Sequence, residues 1–265
     1  MRLASYVNDK TDSLTECEYL LQPVVTAIPT CQIGVVGRSP TWLVYGDSHA
    51  WAAHAVFDKW LRQNNEAGLL VFRHACPPLT DIHFADSKDS CFEFNQAVTR
   101  FIEGEAGLKN ILLVSTWRWP VDGGLLNSSG GLLTKQESIH LFTDRFVGTI
   151  ERLSNLRRNV YVWEPVPGAR GSVPLGLARA AWQHTTPDLE IGLPEYLSVN
   201  KFFFEALEQS RRWVTASFSP SQTLCTNGKC AVALGGNPLY FDNAHIAKSS
   251  ADIWVEVLQH GMVSR

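Results

Sequence analysis

From residue 41 onward, short apolar runs alternate with stretches of helical periodicity. The apolar runs, predicted as strands, cover 41–46, 68–74, 110–117 and 159–167, and the predicted helices cover 49–63, 92–106, 134–155 and 196–216. This alternation is typical of a mostly parallel sheet with helices on both faces. In such a fold, functional sites lie beyond the carboxyl ends of the strands.

Two regions lie outside this pattern. Residues 1–38 are polar and show little periodicity, which predicts an N-terminal extension packed on a core domain of residues 39–265. Residues 165–195 contain several prolines and glycines without a clear period, as many binding loops or lids do. The chain also lacks the run of about 18–20 apolar residues that a spanning helix needs, and its start lacks the apolar run of a signal peptide. The segment is therefore expected to be soluble.

The charged residues argue against a nucleic-acid partner. The chain has 23 Lys and Arg against 26 Asp and Glu, a formal net charge of −3, and the two signs are interspersed. Proteins that bind nucleic acids usually present a clustered basic face. We therefore expect neither DNA nor RNA as a partner.

The six cysteines fall into three pairs that are close in sequence: Cys17 with Cys31, Cys76 with Cys91, and Cys225 with Cys230. Only the last pair approaches the spacing of zinc ligands, so three disulfides are favoured over a metal site, with six reduced buried thiols as the remaining alternative. Disulfides persist in oxidising compartments. Such a location without an export signal is explained if residues 1–265 are the soluble part of a longer exported or membrane-anchored chain.

The tetrapeptide Gly46-Asp47-Ser48-His49 joins the first predicted strand to the first predicted helix. Asp and Ser are common at helix N-termini, where their side chains cap backbone N–H groups, and this role needs no catalysis. The alternative is that Ser48 is a nucleophile at the carboxyl end of a strand. The tetrapeptide alone favours capping.

Asp242 and His245 supply what a nucleophilic serine would need. The Asp-x-x-His spacing lets a carboxylate accept a hydrogen bond from Nδ1 of the imidazole and leaves Nε2 free as a base. A serine hydroxyl is a weak nucleophile until such a base removes its proton. A surface turn in which Asp242 caps the last helix is the structural alternative.

These motifs together resemble the SGNH-hydrolase domain, and more narrowly the SGNH domain fused to the carboxyl side of acyltransferase-3 membrane proteins, which O-acylate bacterial surface carbohydrates. The resemblance covers roughly residues 15–260. It is carried by "GDSH" at 46–49, "ACPPL" at 75–79, "LLVSTWRW" at 112–119, the Cys225/Cys230 pair and "LYFDNAHIAKSSA" at 239–251.

The resemblance implies a three-layer α/β/α sandwich, flavodoxin-like, with a five-stranded parallel sheet. It implies Ser48 as nucleophile, His245 as general base and then general acid, and Asp242 as the residue that orients His245. It also implies an extracytoplasmic, periplasmic location, no cofactor, a carbohydrate acceptor, and an acyl donor delivered by an acyltransferase-3 membrane domain. Membrane attachment would then run only through a segment outside this chain.

The sequence departs from the family at the oxyanion hole. Most SGNH hydrolases use a Gly of a second block and the Asn of a Gly-x-Asn-Asp third block, and neither is found here; the third-block strand ends instead in Ser115-Thr116-Trp117-Arg118. We expect the backbone N–H of Ser48 as one donor and the Trp117 indole or the Arg118 guanidinium as another. The alternative is that Trp117 only packs and Arg118 is a surface cation. Trp117 and Trp119 are also candidates for stacking on a sugar ring.

Three functions are compatible with these residues. The first is transfer of an acyl group, acetyl above all, from Ser48 to a carbohydrate hydroxyl. The second is an esterase that uses the same triad with water as acceptor. The third is a non-catalytic carbohydrate-binding or scaffolding domain, which the missing oxyanion Gly and Asn would favour.

A metal site is not favoured. His49, His54, His74 and His83 are the residues that suggest one, together with Asp47. His49 and His54 are five positions apart on a predicted helix and would point in different directions, which is poor geometry for a shared ion.

Overall fold

The computed structural model describes residues 2–11, 30–85, 91–122, 124–127 and 129–264. The strands are β1 (Thr30–Gly34), β2 (Trp42–Gly46), β3 (Ala67–Phe72), β4 (Asn110–Val114), β5 (Asn159–Trp163), β6 (Ile191–Gly192), β7 (Ala216–Phe218), β8 (Cys225–Thr226), β9 (Lys229–Cys230), β10 (Ala233–Leu234), β11 (Asn237–Pro238) and β12 (Met262–Ser264). The α-helices are α1 (Ser48–Ala52), α2 (His54–Gln63), α3 (Cys91–Gly104), α4 (Trp119–Asp122), α5 (Lys135–Asn155), α6 (Val173–Gln183), α7 (Leu193–Val199), α8 (Lys201–Gln209), α9 (Pro220–Leu224) and α10 (Ala251–His260). Short 3-10 helices cover Arg2–Asn8, Arg211–Trp213 and Lys248–Ser250.

The central sheet has the strand order β1-β3-β2-β4-β5-β7-β12. The five inner strands are parallel, whereas β1 and β12 add antiparallel edges. Gly46, the last residue of β2, pairs with Phe72 of β3 and Val114 of β4. These three strands therefore end at the same level, and the segments that follow them meet at one edge of the sheet.

Helices cover both faces of the sheet, because the inner strands are apolar on both sides. Alternate residues of a strand point to opposite faces, so Leu43 and Tyr45 enter one core cluster while Trp42 and Val44 enter the other. The first cluster includes residues of α3, α5 and α8, and the second includes residues of α1, α2 and α10. The predicted three-layer α/β/α sandwich with five parallel strands is confirmed.

Two of the predicted cysteine pairs are disulfides, Cys76–Cys91 and Cys225–Cys230. Cys31 is also disulfide-bonded, and Cys17 lies outside the described residues.

The secondary structure differs from the sequence prediction at four places. Strand β1 lies within the predicted extension, where Gln32 interrupts the apolar pattern. The first predicted helix is broken at Ala53 into α1 and α2. The predicted loop 165–195 contains α6, whose Pro174 is tolerated in the first turn because its missing N–H has no partner to lose there. The predicted helix 196–216 is divided into parts of α7, α8 and a 3-10 turn and ends at β7.

No helix in the described part of the chain combines the length and hydropathy needed to cross a membrane.

Candidate active site

The site is built where β2 ends against β4. A Cβ atom on Gly46 would lie 1.9 Å from the backbone oxygen of Val114 and 2.9 Å from Cβ of Ala50. Only glycine therefore allows the chain to turn this closely from β2 into α1. The turn makes Ser48 the first residue of α1, at the carboxyl edge of the sheet.

Asp47, and not Ser48, caps helix α1. Its Oδ1 accepts a hydrogen bond from the backbone N–H of His49 at 2.8 Å, while Oδ2 accepts from the Ser115 hydroxyl at 2.6 Å and from the Thr116 N–H at 3.1 Å. The side chain is buried. One carboxylate thus joins the loop after β2 to the loop after β4, and it leaves the Ser48 side chain without a capping role.

The hydroxyl of Ser48 is hydrogen-bonded to the C-terminal part of the chain. Its Oγ lies 2.8 Å from Nε2 of His245, and Nδ1 of the same ring lies 2.7 Å from Oδ2 of Asp242. Oδ1 of Asp242 accepts from the backbone N–H groups of Ala244 and His245, both at 2.8 Å. The structure therefore brings Ser48, His245 and Asp242 into one continuous hydrogen-bonded chain.

The environment of Asp242 keeps it ionised. Partial burial opposes the charged form, but hydrogen bonds from the His245 ring and from two backbone N–H groups outweigh it, and together they lower the pKa of Asp242 to about 2. An ionised Asp242 fixes the tautomer in which Nδ1 carries the proton and Nε2 faces Ser48 as an acceptor.

Two further histidines, His49 and His74, are influenced electrostatically by His245. The ring of His49 lies 4.6 Å from the ring of His245, centroid to centroid. Burial lowers the pKa of His49 to about 4, with the neighbouring His245 acting in the same direction and Asp47 and Asp242 opposing it. Burial, and secondarily His245, also lowers the pKa of His74. His49 is thus a neutral imidazole at neutral pH.

Trp117 does not contribute an oxyanion donor, contrary to one of the two expectations for that residue. Its ring is buried in the core, and its single N–H donates to the backbone oxygen of Trp163 at 2.7 Å. The backbone of Trp117 has a φ of 58°, which turns the chain from β4 toward α4. The same burial removes Trp117 as a sugar-stacking surface, and the packing interpretation is the correct one.

Arg118 and Trp119 lie instead on a cleft of about 530 Å³ beside the triad. Nε and Nη2 of Arg118 donate to Oδ2 of Asp122 at 3.1 and 3.0 Å. The cleft is also lined by His49, which follows Ser48, and by residues 243 and 244, which lie between Asp242 and His245. The segment 165–170 and helix α7 complete its walls.

Several residues of the site were not recognised from the sequence. Ser115 and Thr116 bind the capping carboxylate of Asp47, and Arg170 and Glu195 line the cleft as an ion pair. Ser115 and Thr116 could have been found from their position after the third-block strand. No sequence motif indicated the Arg170–Glu195 ion pair, because its two residues lie 25 positions apart on different segments. In the ranges that the structure describes, no three His, Cys, Asp or Glu side chains cluster as metal ligands would.

An α/β/α sandwich with a Ser–His–Asp chain at the carboxyl edge of its parallel strands defines a class of protein, the SGNH-type domains. Residues 16–259 match the family described as SGNH domain (fused to AT3 domains), and the chain belongs to that family.

One solved structure shares the fold, and others are more distantly similar. The periplasmic domain of a lipopolysaccharide acetyltransferase from Salmonella ser. Paratyphi A superposes with a TM-score of 0.63 at 16% identity, over 85% of this chain and 84% of that one. TesA has a TM-score of 0.45 at 9% identity, over 83% and 96% of the two chains. A candidate SGNH hydrolase from Slackia heliotrinireducens has a TM-score of 0.46 at 12% identity, over 84% and 99%. No curated protein matches the chain in sequence.

Proposed function

We propose that this domain is an extracytoplasmic serine-dependent O-acyl transferase that carries an acyl group, acetyl above all, as an ester on Ser48 and passes it to a hydroxyl of a bacterial surface polysaccharide. The observation that supports this most strongly is the hydrogen-bonded chain from Ser48 through His245 to Asp242, with distances of 2.8 and 2.7 Å. These distances fall within the range of a nucleophile held by its base.

In the first half-reaction Oγ of Ser48 attacks the carbonyl carbon of the acyl donor, and its proton moves to Nε2 of His245. The carbonyl oxygen becomes an oxyanion, beside which the backbone N–H of Ser48 at the start of α1 is an available donor. The bond between the carbonyl carbon and the leaving atom then breaks, and that atom takes the proton from His245. The product is an ester on Ser48 and a neutral His245.

In the second half-reaction an acceptor hydroxyl gives its proton to Nε2 of His245 while its oxygen attacks the ester carbon. The bond to Oγ of Ser48 breaks, and Oγ takes the proton back. Asp242 stays ionised throughout and stabilises the imidazolium that forms in each half. Its low pKa, about 2, suits this role.

The family and the disulfides support the proposed location and the proposed acyl donor. Members of the family are described as fused to AT3 domains, so we propose an acyltransferase-3 membrane domain as the source of the acyl group. The Cys76–Cys91 and Cys225–Cys230 disulfides support an oxidising compartment such as the periplasm. The similar Salmonella domain is itself periplasmic and belongs to an acetyltransferase.

The proposal is tested with Ser48→Ala and the matched control Ser154→Ala, which changes a half-buried serine on α5 in the opposite helical layer. Turnover of p-nitrophenyl acetate should fall at least about 1000-fold in Ser48→Ala and stay within twofold in the control. Both variants should keep the circular dichroism of the parent. Equal turnover in Ser48→Ala and the control would refute the nucleophile.

Hydrolysis is the second candidate, because the triad is open to solvent: the side chains of His245 and Asp242 are 26% and 37% exposed. Water could therefore take the place of the acceptor hydroxyl. The two functions separate when p-nitrophenyl acetate is turned over with increasing concentrations of a sugar acceptor. Transfer predicts acetylated sugar formed at the expense of free acetate, whereas an esterase gives the same yield of acetate at every acceptor concentration.

A further inference from the structure

We infer that the cleft beside the triad is the acceptor site, that it selects uncharged sugar units, and that His49 and Trp119 hold the sugar there. This inference rests on the proposed function, which supplies the acyl group on Ser48. It adds the charge class of the acceptor and the residues that bind it.

The first observation is a buried imidazole without a hydrogen bond. His49 is 8% exposed and lines the cleft. Across the described residues its ring nitrogens take part in no hydrogen bond, although the ring packs on His245. A ring nitrogen without a partner in the protein is free to hydrogen-bond to a ligand in the cleft. A neutral imidazole offers one donor and one acceptor, and a sugar hydroxyl can pair with either.

The second observation is that the charges of the cleft are paired with one another. Arg118 binds Asp122, with Nη2 and Oδ2 3.0 Å apart, and Arg170 binds Glu195, with Nη1 and Oε1 3.3 Å apart. All four side chains line the cleft, and their formal charges sum to zero. Lys135, which is not a lining residue, also binds Asp122, with Nζ and Oδ1 3.3 Å apart. A uronate or phosphate would have to bring its charge next to Asp122 or Glu195 or break an ion pair. A neutral sugar can hydrogen-bond to the outer atoms of both pairs and break neither.

The third observation is an aromatic ring at the cleft wall. Trp119 lines the cleft and is 40% exposed, although tryptophan side chains are on average highly buried. An exposed indole offers a flat apolar surface to the C–H face of a pyranose. The cleft volume of about 530 Å³ falls within the range of roughly 300–1,000 Å³ usual for ligand pockets.

The position of the cleft relative to the ester is what makes it an acceptor site. His49 follows Ser48 directly in α1, so a sugar that binds His49 lies next to the serine that carries the acyl group. The facing loop is fixed as well, because the N–H of Ala169 donates to the backbone oxygen of Asn243 at 2.7 Å. A hydroxyl of a sugar bound in the cleft therefore lies close to Nε2 of His245, the base that takes its proton.

The test measures binding without catalysis, on full-length domain carrying Ser48→Ala. Neutral hexose trisaccharides and uronic-acid trisaccharides of matching linkage are titrated by calorimetry. We expect the neutral trisaccharides to bind with a Kd at least about tenfold lower than that of the uronic-acid trisaccharides. Trp119→Ala and His49→Ala should each weaken this binding about tenfold, and His49→Gln, which keeps a donor and an acceptor, should restore part of it.

The matched control is Trp182→Ala, since Trp182 is 80% exposed and is not a lining residue of the cleft. It should bind neutral trisaccharides within twofold of the parent. Absence of neutral-sugar binding, tighter binding of the uronates, or equal effects of Trp119→Ala and Trp182→Ala would each overturn the inference. Because Trp119 is on the surface, its variant keeps the test informative if His49→Ala does not fold. Failure here leaves the Ser48→Ala turnover result untouched, so the two proposals fail separately.

Discussion

Nε2 of His245 lies 2.8 Å from Oγ of Ser48, although 197 positions separate the two residues. The contact depends on how the C-terminal loop is held against helix α6 and folded on itself. The backbone oxygen of Asp242 accepts from the N–H of Val173 at 2.9 Å, and the N–H of Ala247 donates to the oxygen of Leu239 at 3.0 Å. The backbone, and not only the triad side chains, therefore sets the distance between base and serine.

Replacing Asp242 by Asn should lower turnover by about 10³- to 10⁴-fold. An amide cannot hold Nδ1 protonated as the carboxylate does, so Nε2 no longer faces Ser48 as a base. Because the pKa of Asp242 is about 2, this carboxylate stays charged over the range in which the protein is assayed, and the acid limb of the wild-type pH profile should not come from it. The check is p-nitrophenyl acetate turnover from pH 4 to 9. Asp144→Asn, at an exposed position on α5, is the control and should keep parent activity.

We expect the Asp47 carboxylate to stabilise the folded protein as well as to shape the active site. Asp47→Ala removes the cap of α1 and leaves the donors of His49, Ser115 and Thr116 without their acceptor, so we expect a loss of about 2–4 kcal/mol in the free energy of unfolding. Ser115→Ala removes one of the three bonds and should cost about 1 kcal/mol. Urea titration measures both. Equal costs for the two variants would contradict a shared role of the carboxylate.

Stability should fall as the pH drops from about 6.5 to 4. His49 binds its proton near pH 6.5 in the unfolded chain but only near pH 4 in the folded one, so in this window the unfolded chain binds more protons. The lowered pKa corresponds to at most roughly 3 kcal/mol, present in full above pH 6.5 and lost by pH 4. His49→Gln should flatten the profile from urea unfolding at pH 7, 6, 5 and 4. His74 shifts in the same direction and accounts for a residual slope; an unchanged slope in His49→Gln would contradict the assignment.

The two described disulfides should stabilise the fold unequally. Cys76–Cys91 closes a separation of 15 positions and Cys225–Cys230 one of 5. Loop-closure entropy then gives a cost of about 3 kcal/mol for removing the first and about 2 kcal/mol for the second. Urea unfolding of the Cys76→Ser/Cys91→Ser and Cys225→Ser/Cys230→Ser double variants measures the difference. A larger loss for the shorter loop would show that strain or packing, and not chain entropy, governs these bonds.

The parallel core could be predicted because its strands carry their signal locally. The strands β2 to β5 are apolar runs with glycines, asparagines or prolines beside them, and burial on both faces leaves a continuous pattern in the sequence. Strand β7 is only three residues long and is buried throughout, so it gives no period to detect. The break between α1 and α2 could not be predicted either, because the apolar pattern continues through it and Ala53 is compatible with a helix as well as with a turn.

The site was predictable only as far as its residues belong to recognisable motifs. Ser48 follows a strand, and Asp242 precedes His245 by three positions, a spacing that lets the two side chains interact. The family resemblance then predicted that these three residues form one triad. The position of Trp117 could not be foreseen, because its N–H partner is a backbone oxygen 46 positions away. The cleft could not be foreseen for the same reason: its walls come from separate segments whose sequences carry no shared pattern.

The most direct test of the account is the mass of the intact protein after brief reaction with p-nitrophenyl acetate and acid quench, followed by peptide mapping. The account predicts one added acetyl group on the peptide that contains Ser48, lost on addition of a neutral sugar acceptor and absent from Ser48→Ala. His245→Ala should form it far more slowly than the parent. Two results together would contradict it. The parent protein would turn over the ester without any acetyl on Ser48, even at the earliest quench times, and Ser48→Ala would show undiminished turnover.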